Sequence, residues 1–414
     1  MVTGGARAVA RCDALGVAPY SDMEGGLFRA WLTPAFAAAH EAVGGWMTEA
    51  GMAVRTDAAT NLIGRYEGIT PGAPALLIGS HIDSVNDAGR YDGPLGVMLG
   101  IECIAALNAA GRRLPFAIEV IAFGDEEGSR FPAPMLTSRA VAGGFDPASL
   151  AVVGRDGVTV GQALADNRFP PEHFAEAARA PASAIAYLEA HIEQGPALEA
   201  EGLSVGIVTG IAAQLRYRVV IEGMAGHAGT TSMALRRDAL AAAAEAVLAV
   251  ERIGGAGPDD LVATVGRLDV TPGAVNVIPG HVDFSLDIRA LDHAVRDAAA
   301  EAILAELKTI GARRGVGLVA KRVHQLSACP CDPKLIGLLA AAMADQGLPE
   351  RRLARGAGHD AMVMASLCPT AMLFIRCAGG ISHNPAEAVK VADVEIALRV
   401  MLGFIDRFGE TFDA

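Results

Sequence analysis

The sequence predicts an α/β protein with a second, smaller α+β domain. In the first third of the chain, short apolar runs alternate with helical patterns, as they do in a sheet covered by helices on both faces. Between about residues 212 and 327 the predicted order is strand, helix, strand, strand, helix, strand, which is the split βαβ or ferredoxin-like arrangement. The length of 414 residues also suggests two or three domains rather than one.

Two buried strands are predicted in the first third of the chain. PALLIG (74–79) and FAIEVIAF (116–123) are nearly continuous apolar runs of strand length. The segment 141–182 is rich in Gly, Pro and Asp, so it is expected to form small helices and turns beside the core. Helices are predicted in this part of the chain at residues 34–50, 94–110 and 184–194.

The middle of the chain has the alternation of half-buried strands. Leu215, Tyr217, Val219 and Ile221 alternate with charged residues, and a similar alternation occupies 282–289. The pattern predicts a four-stranded antiparallel sheet with two helices on one face. Its remaining elements are predicted as strands at 261–270 and 317–323 and helices at 233–252 and 292–311, and the segment 330–414 is predicted to hold two helices around a strand at 371–376.

Composition limits the classes of partner. The chain has 34 Lys and Arg against 47 Asp and Glu, a formal net charge of −13, which disfavours nucleic acid and anionic membranes as partners. The most apolar helical stretch, 239–251, is too short for a membrane span. Charged residues interrupt the amino-terminal segment and six cysteines are too few for a disulfide framework, so a cytoplasmic protein with free thiols is expected.

Three segments in the first third carry candidate catalytic or metal-binding residues. GSHIDS (79–84) places His81 just beyond a predicted strand, where Asp83 could orient its ring. YDGPLGV (91–97) presents Asp92 at a helix start, and GDEEGSRF (124–131) contains three adjacent carboxylates: Asp125, Glu126 and Glu127. Each motif alone has a structural explanation, namely a core histidine, a turn aspartate and a solvated acidic turn. The location at strand ends favours a functional interpretation.

Two further segments add histidines. EAHIEQGP (189–196) contains His191 and Gln194, which would share a face of the predicted helix. GGISHNPAE (379–387) places His383 in a glycine-bearing polar loop, where burial in a core is hard to sustain. Three histidines with several carboxylates match the nitrogen and oxygen ligands of Zn²⁺, Mn²⁺, Co²⁺ or Ni²⁺. The residues therefore predict a divalent metal site.

In their order along nearly the whole chain, these motifs resemble those of the dinuclear-metal hydrolases of the aminopeptidase and acylase superfamily. Within it, the chain resembles the ureido-hydrolysing branch: allantoate amidohydrolases, N-carbamoyl-L-amino-acid hydrolases and β-ureidopropionases. The resemblance implies a discontinuous metal-binding α/β catalytic domain, residues 1–211 and 328–414, with an inserted ferredoxin-like α+β lid and dimerisation domain, residues 212–327. The motifs are GSHxDS, YDGxxGV, DEEGSRF, EAHIEQGP, GHAGTT, NVIPG, LDIR, GAGHDA and GGISHNPAE.

The resemblance also implies roles for residues. Asp92 would bridge two divalent metal ions per subunit, with Mn²⁺ or Zn²⁺ expected and Co²⁺ or Ni²⁺ as alternatives. His81 and His383 would hold one ion, Glu127 and His191 would hold the other, and Glu126 would be the general base. Peptide-cleaving relatives typically have a carboxylate in place of His191, so this residue favours a ureido bond over a peptide bond.

Substrate contacts are implied largely in the inserted domain. His227 in GHAGTT resembles a histidine that reaches across the dimer to the developing oxyanion. Asn276 in NVIPG and Arg289 in LDIR match residues that hold a substrate carboxylate, although Arg289 could instead be a solvated strand residue. Further substrate-binding candidates are Gln194, Arg216 and His359. The chain has Ser232 where relatives often have proline in GHAGTTPM, which could loosen the loop of His227.

The resulting hypothesis is a metal-dependent hydrolase of a ureido C–N bond that acts as a homodimer on a small ureido carboxylate. The segments DAGRYDGPLGV and RCAGGISHNPAE most resemble those of allantoate amidohydrolases, so allantoate is the favoured substrate. Its hydrolysis would give ureidoglycine, ammonia and carbon dioxide. An N-carbamoyl-L-amino-acid hydrolase or a β-ureidopropionase is the alternative. A dipeptidase is disfavoured by His191, and a catalytically inactive binding protein is disfavoured because all five ligand candidates and Glu126 are present.

Overall fold

A computed structural model describes residues 3–411 of the chain. These residues form two compact units. The first comprises the chain up to Thr209 together with Cys331–Leu353 and the part from Gly358 onward. The second comprises Gly210–Pro330 and Ala354–Ala357. The fold is mixed α/β, as the sequence predicts.

The described residues contain α-helices and strands along their whole length, joined by short turns and 3₁₀ helices. The helices are α1 (Gly4–Leu15), α2 (Pro34–Glu49), α3 (Pro94–Ala109), α4 (Leu136–Val141), α5 (Val160–Asp166), α6 (Ala197–Ala200), α7 (Ala239–Gly255), α8 (His293–Arg314), α9 (Pro333–Asp345), α10 (Asp360–Met364) and α11 (Val391–Thr411). The strands are β1 (Ala53–Thr56), β2 (Leu62–Tyr66), β3 (Ala75–His81), β4 (Ala117–Phe123), β5 (Ala184–Ile192), β6 (Val205–Ile211), β7 (Ala213–Glu222), β8 (Gly226–His227), β9 (Val262–Thr264), β10 (Leu268–Thr271), β11 (Val277–Ile278), β12 (His281–Ala290), β13 (Gly317–Leu326), β14 (Cys329–Pro330), β15 (Arg352–Arg355) and β16 (Thr370–Ile375).

The sheet of the first unit has a parallel centre. Seven strands of this nine-stranded sheet follow the order β1-β2-β4-β3-β5-β16-β6. Strands β4, β3, β5 and β16 run parallel to one another, whereas β2 and β6 are antiparallel to their neighbours. Every residue of β3, β4 and β16 is buried, because both faces of the sheet are covered. The carboxyl ends of the four parallel strands therefore meet at one edge of the sheet.

The helix predicted at 184–194 is wrong. Residues Ala184–Ile192 form strand β5, which is hydrogen-bonded in parallel to β3 and β16. Because β5 lies in the middle of a covered sheet, eight of its nine residues are buried on both faces, and the two-residue alternation that marks a strand is lost. His191 and Gln194 consequently do not share a helical face; His191 lies in the strand and Gln194 in the loop that follows it.

The second unit is built on an antiparallel sheet with helices on one face. Its strand order is β10-β12-β7-β13, with β9 also paired to β12. Helices α7 and α8 cover alternate residues of β7 and β12, so that Val219 and Phe284 are fully buried while Arg218 projects from the opposite face. The single strand predicted at 261–270 is two strands, β9 and β10, which are separated by Val265–Arg267.

The first helix of this unit begins later than the pattern predicted. Helix α7 starts at Ala239, because the side chain of Asp238 accepts hydrogen bonds from the amides of Leu240 and Ala241 and so caps the helix there. The residues Met233–Leu235, which were predicted to be helical, form a 3₁₀ turn.

The remaining predictions concern membranes and thiols. Within residues 3–411, every helix is too short or too polar to cross a membrane. No disulfide links any of the six cysteines, all of which lie within that range.

Candidate metal centre and active site

The parallel strands bring four of the predicted site segments to one edge of the sheet. His81 is the last residue of β3, and His191 is the penultimate residue of β5. Glu126 and Glu127 follow β4, and His383 lies in the loop after β16. Strands that run in the same direction end at the same edge, so residues far apart in the sequence meet there.

Asp92 reaches this edge from the loop before α3. The next residue, Gly93, has φ 84°, and a side chain at that position would overlap the His81 ring. Glycine therefore allows Asp92 to lie close to His81.

Asp92 lies between two groups of possible ligands. Its Oδ1 atom is 3.0 Å from His191 Nε2 and 3.7 Å from His81 Nε2. Its Oδ2 atom is 3.2 Å from His383 Nε2, which is also 3.4 Å from Glu127 Oε1. The donor atoms of His81, Asp92 and His191 lie within 4.8 Å of one another, and so do those of Asp92, Glu127 and His383.

The donor groups differ from the ligand pairing that the resemblance implied. His81 groups with His191 and not with His383, because β3 and β5 are neighbouring strands and place the two rings 5.8 Å apart. His383 groups with Glu127. Asp92 is common to both groups, as the resemblance implied.

The donors fit divalent metal ions. His81 Nδ1 lies 3.2 Å from the carbonyl oxygen of Asp83, and His191 Nδ1 lies 2.9 Å from that of Ile192. In a neutral histidine, a hydrogen bond donated by Nδ1 leaves the lone pair on Nε2, where it is available to a metal ion, and both Nε2 atoms lie near Asp92. Imidazole nitrogen and carboxylate oxygen together form the donor set of Zn²⁺, Mn²⁺, Co²⁺ and Ni²⁺.

The electrostatics of the site also favour a cation. Burial acts to raise the pKa of Asp92, but hydrogen bonds from His191, His383 and His81 outweigh it and hold the pKa well below its usual value. Hydrogen bonds to Asp92 and Glu127 raise the pKa of His383 to about 10. His383 thus holds a proton in a strongly negative environment, and a cation would compete with that proton.

Glu126 lies beside the two groups without joining Asp92. Its Oε2 atom is 4.0 Å from His81 Nε2, and its amide donates a hydrogen bond of 3.1 Å to Asp83 Oδ1. Burial is the largest cause of a pKa raised well above the usual value for Glu126; the charge of His81 opposes it, and Glu127 adds to it. A carboxyl group in this environment can accept and hold a proton.

Gln194 contacts a proposed ligand. Its Nε2 atom donates hydrogen bonds to Asp92 Oδ2 at 2.5 Å and to Ser382 Oγ at 3.0 Å. The Ser382 hydroxyl is also 2.7 Å from Asp92 Oδ2. Sequence reasoning did not single out Ser382, although it lies in the GGISHNPAE segment next to His383. His359, another candidate, is buried in the first unit with its ring 4.3 Å from that of His191.

Four substrate-binding candidates belong to the second unit. Arg216 and Arg289 both bind Asp287, through Nε–O distances of 2.7 Å. Arg289 also donates a hydrogen bond to the carbonyl oxygen of Gly356. The three charged residues line a cavity of about 830 Å³ on the sheet face opposite the helices.

His227 and Asn276 lie side by side in paired strands and turns. Strand β8 pairs with β11, and the amide of Ala228 donates to the carbonyl oxygen of Asn276 at 2.9 Å. His227 Nδ1 accepts a hydrogen bond of 3.0 Å from the Gly229 amide, so the proton of neutral His227 is on Nε2. The exposed Nε2–H group is thus a hydrogen-bond donor.

Clustered histidine and carboxylate donors at the carboxyl ends of a parallel sheet are typical of metallohydrolases. The chain belongs to peptidase family M20/M25/M40, whose family model matches residues 77–407. The family resemblance of the motifs is thereby confirmed.

Two curated relatives match most of the chain. An N-carbamoyl-L-amino acid amidohydrolase from Geobacillus stearothermophilus is 42% identical over 381 residues, which cover 91% of this chain and 92% of the relative. A probable allantoate deiminase from Oryza sativa subsp. japonica is 41% identical over 419 residues, covering 94% of this chain and 85% of the relative. These relationships show that the protein is an enzyme that acts on C–N bonds.

Solved structures agree with the fold. An amidase of the hydantoinase/carbamoylase family from Burkholderia multivorans has a TM-score of 0.90 at 34% identity, with 98% of both chains covered. A protein designated AtUAH, solved in complex with glyoxylate, has a TM-score of 0.76 at 34% identity, again with 98% of both chains covered. Structural neighbours of this protein thus bind small ligands.

Proposed function

We propose that this enzyme hydrolyses the ureido C–N bond of a small carboxylate, and that its substrate is allantoate. The main support is the similarity, at 41–42% identity over most of the chain, to a probable allantoate deiminase and an N-carbamoyl-L-amino acid amidohydrolase. The two substrates named have a carbamoyl-substituted nitrogen and a carboxylate in common. An N-carbamoyl-L-amino acid is the second candidate, because the Geobacillus relative has the higher identity. A β-ureidopropionase activity would require the same groups.

We assign two divalent metal ions per subunit to the site, Mn²⁺ or Zn²⁺, with Co²⁺ or Ni²⁺ as substitutes. One would be held by His81, Asp92 and His191, and the other by Asp92, Glu127 and His383, since these are the two clusters of donor atoms that share Asp92. Such ions, when bound, polarise a carbonyl group and make water more acidic.

Glu126 is assigned as the general base and acid. Its carboxylate would take a proton from the attacking water and later give it to the leaving nitrogen. Support comes from its burial and from its raised pKa, since a proton held between the two transfers needs a carboxyl group of higher basicity than an exposed one.

Residues of the second unit are assigned to the substrate. Arg289 and Arg216 would bind the carboxylate, and Asn276 would add a polar contact. The Nε2–H group of His227 would donate to the oxyanion that develops during attack. Gln194 and His359 would complete the contacts from the first unit.

The second unit is also assigned as the lid and the dimerisation domain of a homodimer. On α7, Leu240 and Leu248 are 37% and 63% exposed. They lie eight residues apart on one face of the helix, which gives an apolar stripe suited to a second copy of the chain.

A substrate panel with added Mn²⁺ tests this function. Ammonia release would be measured with allantoate, N-carbamoyl-L-amino acids and N-carbamoyl-β-alanine, and cleavage would be measured with a dipeptide. The largest kcat/KM is expected for allantoate. Rapid turnover of an N-carbamoyl-L-amino acid without turnover of allantoate would reverse the choice of substrate. Metal-loaded protein that turns over no compound would instead favour a binding protein on this fold.

A further inference from the structure

Glu387 is a buried carboxylate that joins two loops of the proposed metal centre. It lies four residues after His383 and is 5% exposed. Its Oε1 atom accepts hydrogen bonds from the Tyr91 amide at 2.7 Å and from the Asp92 amide at 3.1 Å. These contacts connect positions almost 300 residues apart in the sequence and fix the backbone of the residue common to both ligand groups.

The other oxygen of Glu387 reaches the side chain of Asp92 through a hydroxyl group. Ser382 Oγ is 3.0 Å from Glu387 Oε2 and 2.7 Å from Asp92 Oδ2. Gln194 donates to both Ser382 Oγ and Asp92 Oδ2. Asp92 is thus held at its amide by Glu387 directly, and the Ser382 hydroxyl, which has one proton to donate, lies between the two carboxyl groups.

The close approach of the two loops depends on a small residue. A Cβ atom at Gly89 would overlap the side chain of Glu387, whereas Gly89 itself does not have a positive φ. The packing is therefore limited by space and not by backbone conformation. An alanine at this position would displace the Glu387 carboxylate without removing any polar group.

We propose that Glu387 is a positioning residue that sets metal affinity by holding Asp92 against the loop of His383. The inference rests on the proposed assignment of Asp92 and His383 as metal ligands. A buried carboxyl oxygen that accepts two amide hydrogen bonds holds the backbone that donates them, because leaving the two N–H groups unpaired would be costly. Loss of such contacts around a metal ligand typically lowers metal affinity by about 10–100-fold.

The test compares metal affinity with the stability of the metal-free protein. Affinity for Mn²⁺ and Zn²⁺ would be measured by competition with a chromogenic chelator, and thermal unfolding would be followed after treatment with EDTA. Glu387→Ala is expected to lower the affinity for at least one ion by about 10–100-fold. Glu387→Gln should retain most of the affinity, because its amide carbonyl still accepts the two N–H groups and its NH₂ group can donate to Ser382.

Asp57 provides the matched control. Its Oδ1 atom accepts hydrogen bonds of 2.9 Å from the amides of Ala59 and Asn61, in a loop without any proposed ligand. Asp57→Ala removes a comparable carboxylate, so it should lower the unfolding temperature of the metal-free protein without changing metal affinity. Equal metal affinity in Glu387→Ala and in the wild type would overturn the proposal.

Two further variants keep the test decisive if Glu387→Ala does not fold. Gly89→Ala displaces Glu387, and Ser382→Ala removes its link to the Asp92 carboxylate, so both should weaken metal binding. Wild-type affinity in both would overturn the positioning role. Asp92→Ala separates this outcome from failure of the site assignment: if Asp92→Ala binds metal like the wild type, or the wild type binds none, the proposed metal centre itself is refuted together with the inference.

Discussion

At the scale of single residues, Asp83 connects His81 to the loop that contains Glu126 and Glu127. Its two oxygens accept hydrogen bonds from the amides of Glu126 and Glu127 at 3.1 and 3.2 Å, and Oδ1 lies 3.3 Å from His81 Nδ1. The sequence predicted only the contact with His81, two residues away. The contact with the Glu126 loop depends on β3 and β4 being neighbouring strands, and a local sequence pattern does not predict which strands pair.

Ser382 and Glu387 illustrate what sequence reasoning at this scale cannot reach. Histidines and adjacent carboxylates attract attention because of their chemistry, whereas a serine and a glutamate in a polar loop have many ordinary roles. Their hydrogen bonds to Asp92 and Tyr91 span 290 residues or more. Only the fold brings these partners together. Residue type and order therefore allowed candidate ligands to be proposed, but not their hydrogen-bonded supports or their grouping around Asp92.

The proposed base gives a prediction for a single side chain. Glu126→Gln keeps the size of the residue but removes its ability to accept a proton, so kcat should fall by about 10²–10⁴-fold while metal content stays unchanged. Steady-state kinetics and elemental analysis of the same preparation would measure both quantities. Glu127→Gln is the control, because it should lose metal. Near-normal activity of Glu126→Gln would remove the residue from the mechanism.

The histidine of the second ligand group gives a prediction about pH. In the metal-free protein, hydrogen bonds to Asp92 and Glu127 raise the pKa of His383 from 6.5 to about 10. A group with a raised pKa stabilises the fold fully below its unfolded pKa, and this contribution is lost as the pH rises through the folded pKa. Burial also raises the pKa of Glu189, to about 8, which acts in the same direction.

The metal-free protein should therefore unfold at progressively lower temperature as the pH rises from about 6.5 to 10. Bound cations would replace the protons, so the metal-loaded protein should lose less over this range. Calorimetry with EDTA and with added Mn²⁺ would measure the two profiles, and His383→Gln should have a shallower metal-free profile. Parallel profiles with and without metal would contradict the prediction.

At the scale of elements, β5 explains the main error in the predicted fold. A nine-residue strand with both faces covered has no alternation, and AIAYLEAHI includes polar residues whose partners are invisible in the sequence. Glu189, for example, accepts hydrogen bonds from Ser80 and from the Ala361 amide. By contrast, β7 and β12 each have one face that is less buried than the other, and their alternation predicted them closely.

The loop of His227 provides a prediction at this scale. Ser232 has φ −60° and ψ 148°, values that proline adopts, in the position where the family motif often has proline. Ser232→Pro should raise the free energy of unfolding by about 0.4–1 kcal/mol, because it restricts the unfolded chain. Urea unfolding would measure the change, and Ser232→Ala is the control that leaves φ unrestricted. A Ser232→Pro protein no more stable than Ser232→Ala would show that the loop resists proline.

At the scale of the whole molecule, the net charge of −13 opposes the proposed anionic substrate. We propose that the attraction is local, from the proposed cations and from Arg216 and Arg289, which line the cavity of the second unit. Overall composition predicted a globular protein and disfavoured nucleic acid as a partner. The sign of the electrostatic potential near a particular group depends instead on which few charged residues the fold places beside it.

The last prediction concerns the proposed homodimer. If His227 acts on the site of the partner subunit, mixing His227→Ala with Asp92→Ala protein should restore activity, because one site of each mixed dimer would regain both groups. Random mixing in equal amounts gives half mixed dimers with one active site each, so about a quarter of wild-type activity is expected. Mixing Asp92→Ala with Glu127→Ala is the control and should restore none, since both changes lie in the same unit. If His227 served its own subunit, or if the chain were a monomer, no mixture would gain activity. Ammonia release would be measured at increasing times after mixing, so that slow exchange of subunits is distinguished from these two cases.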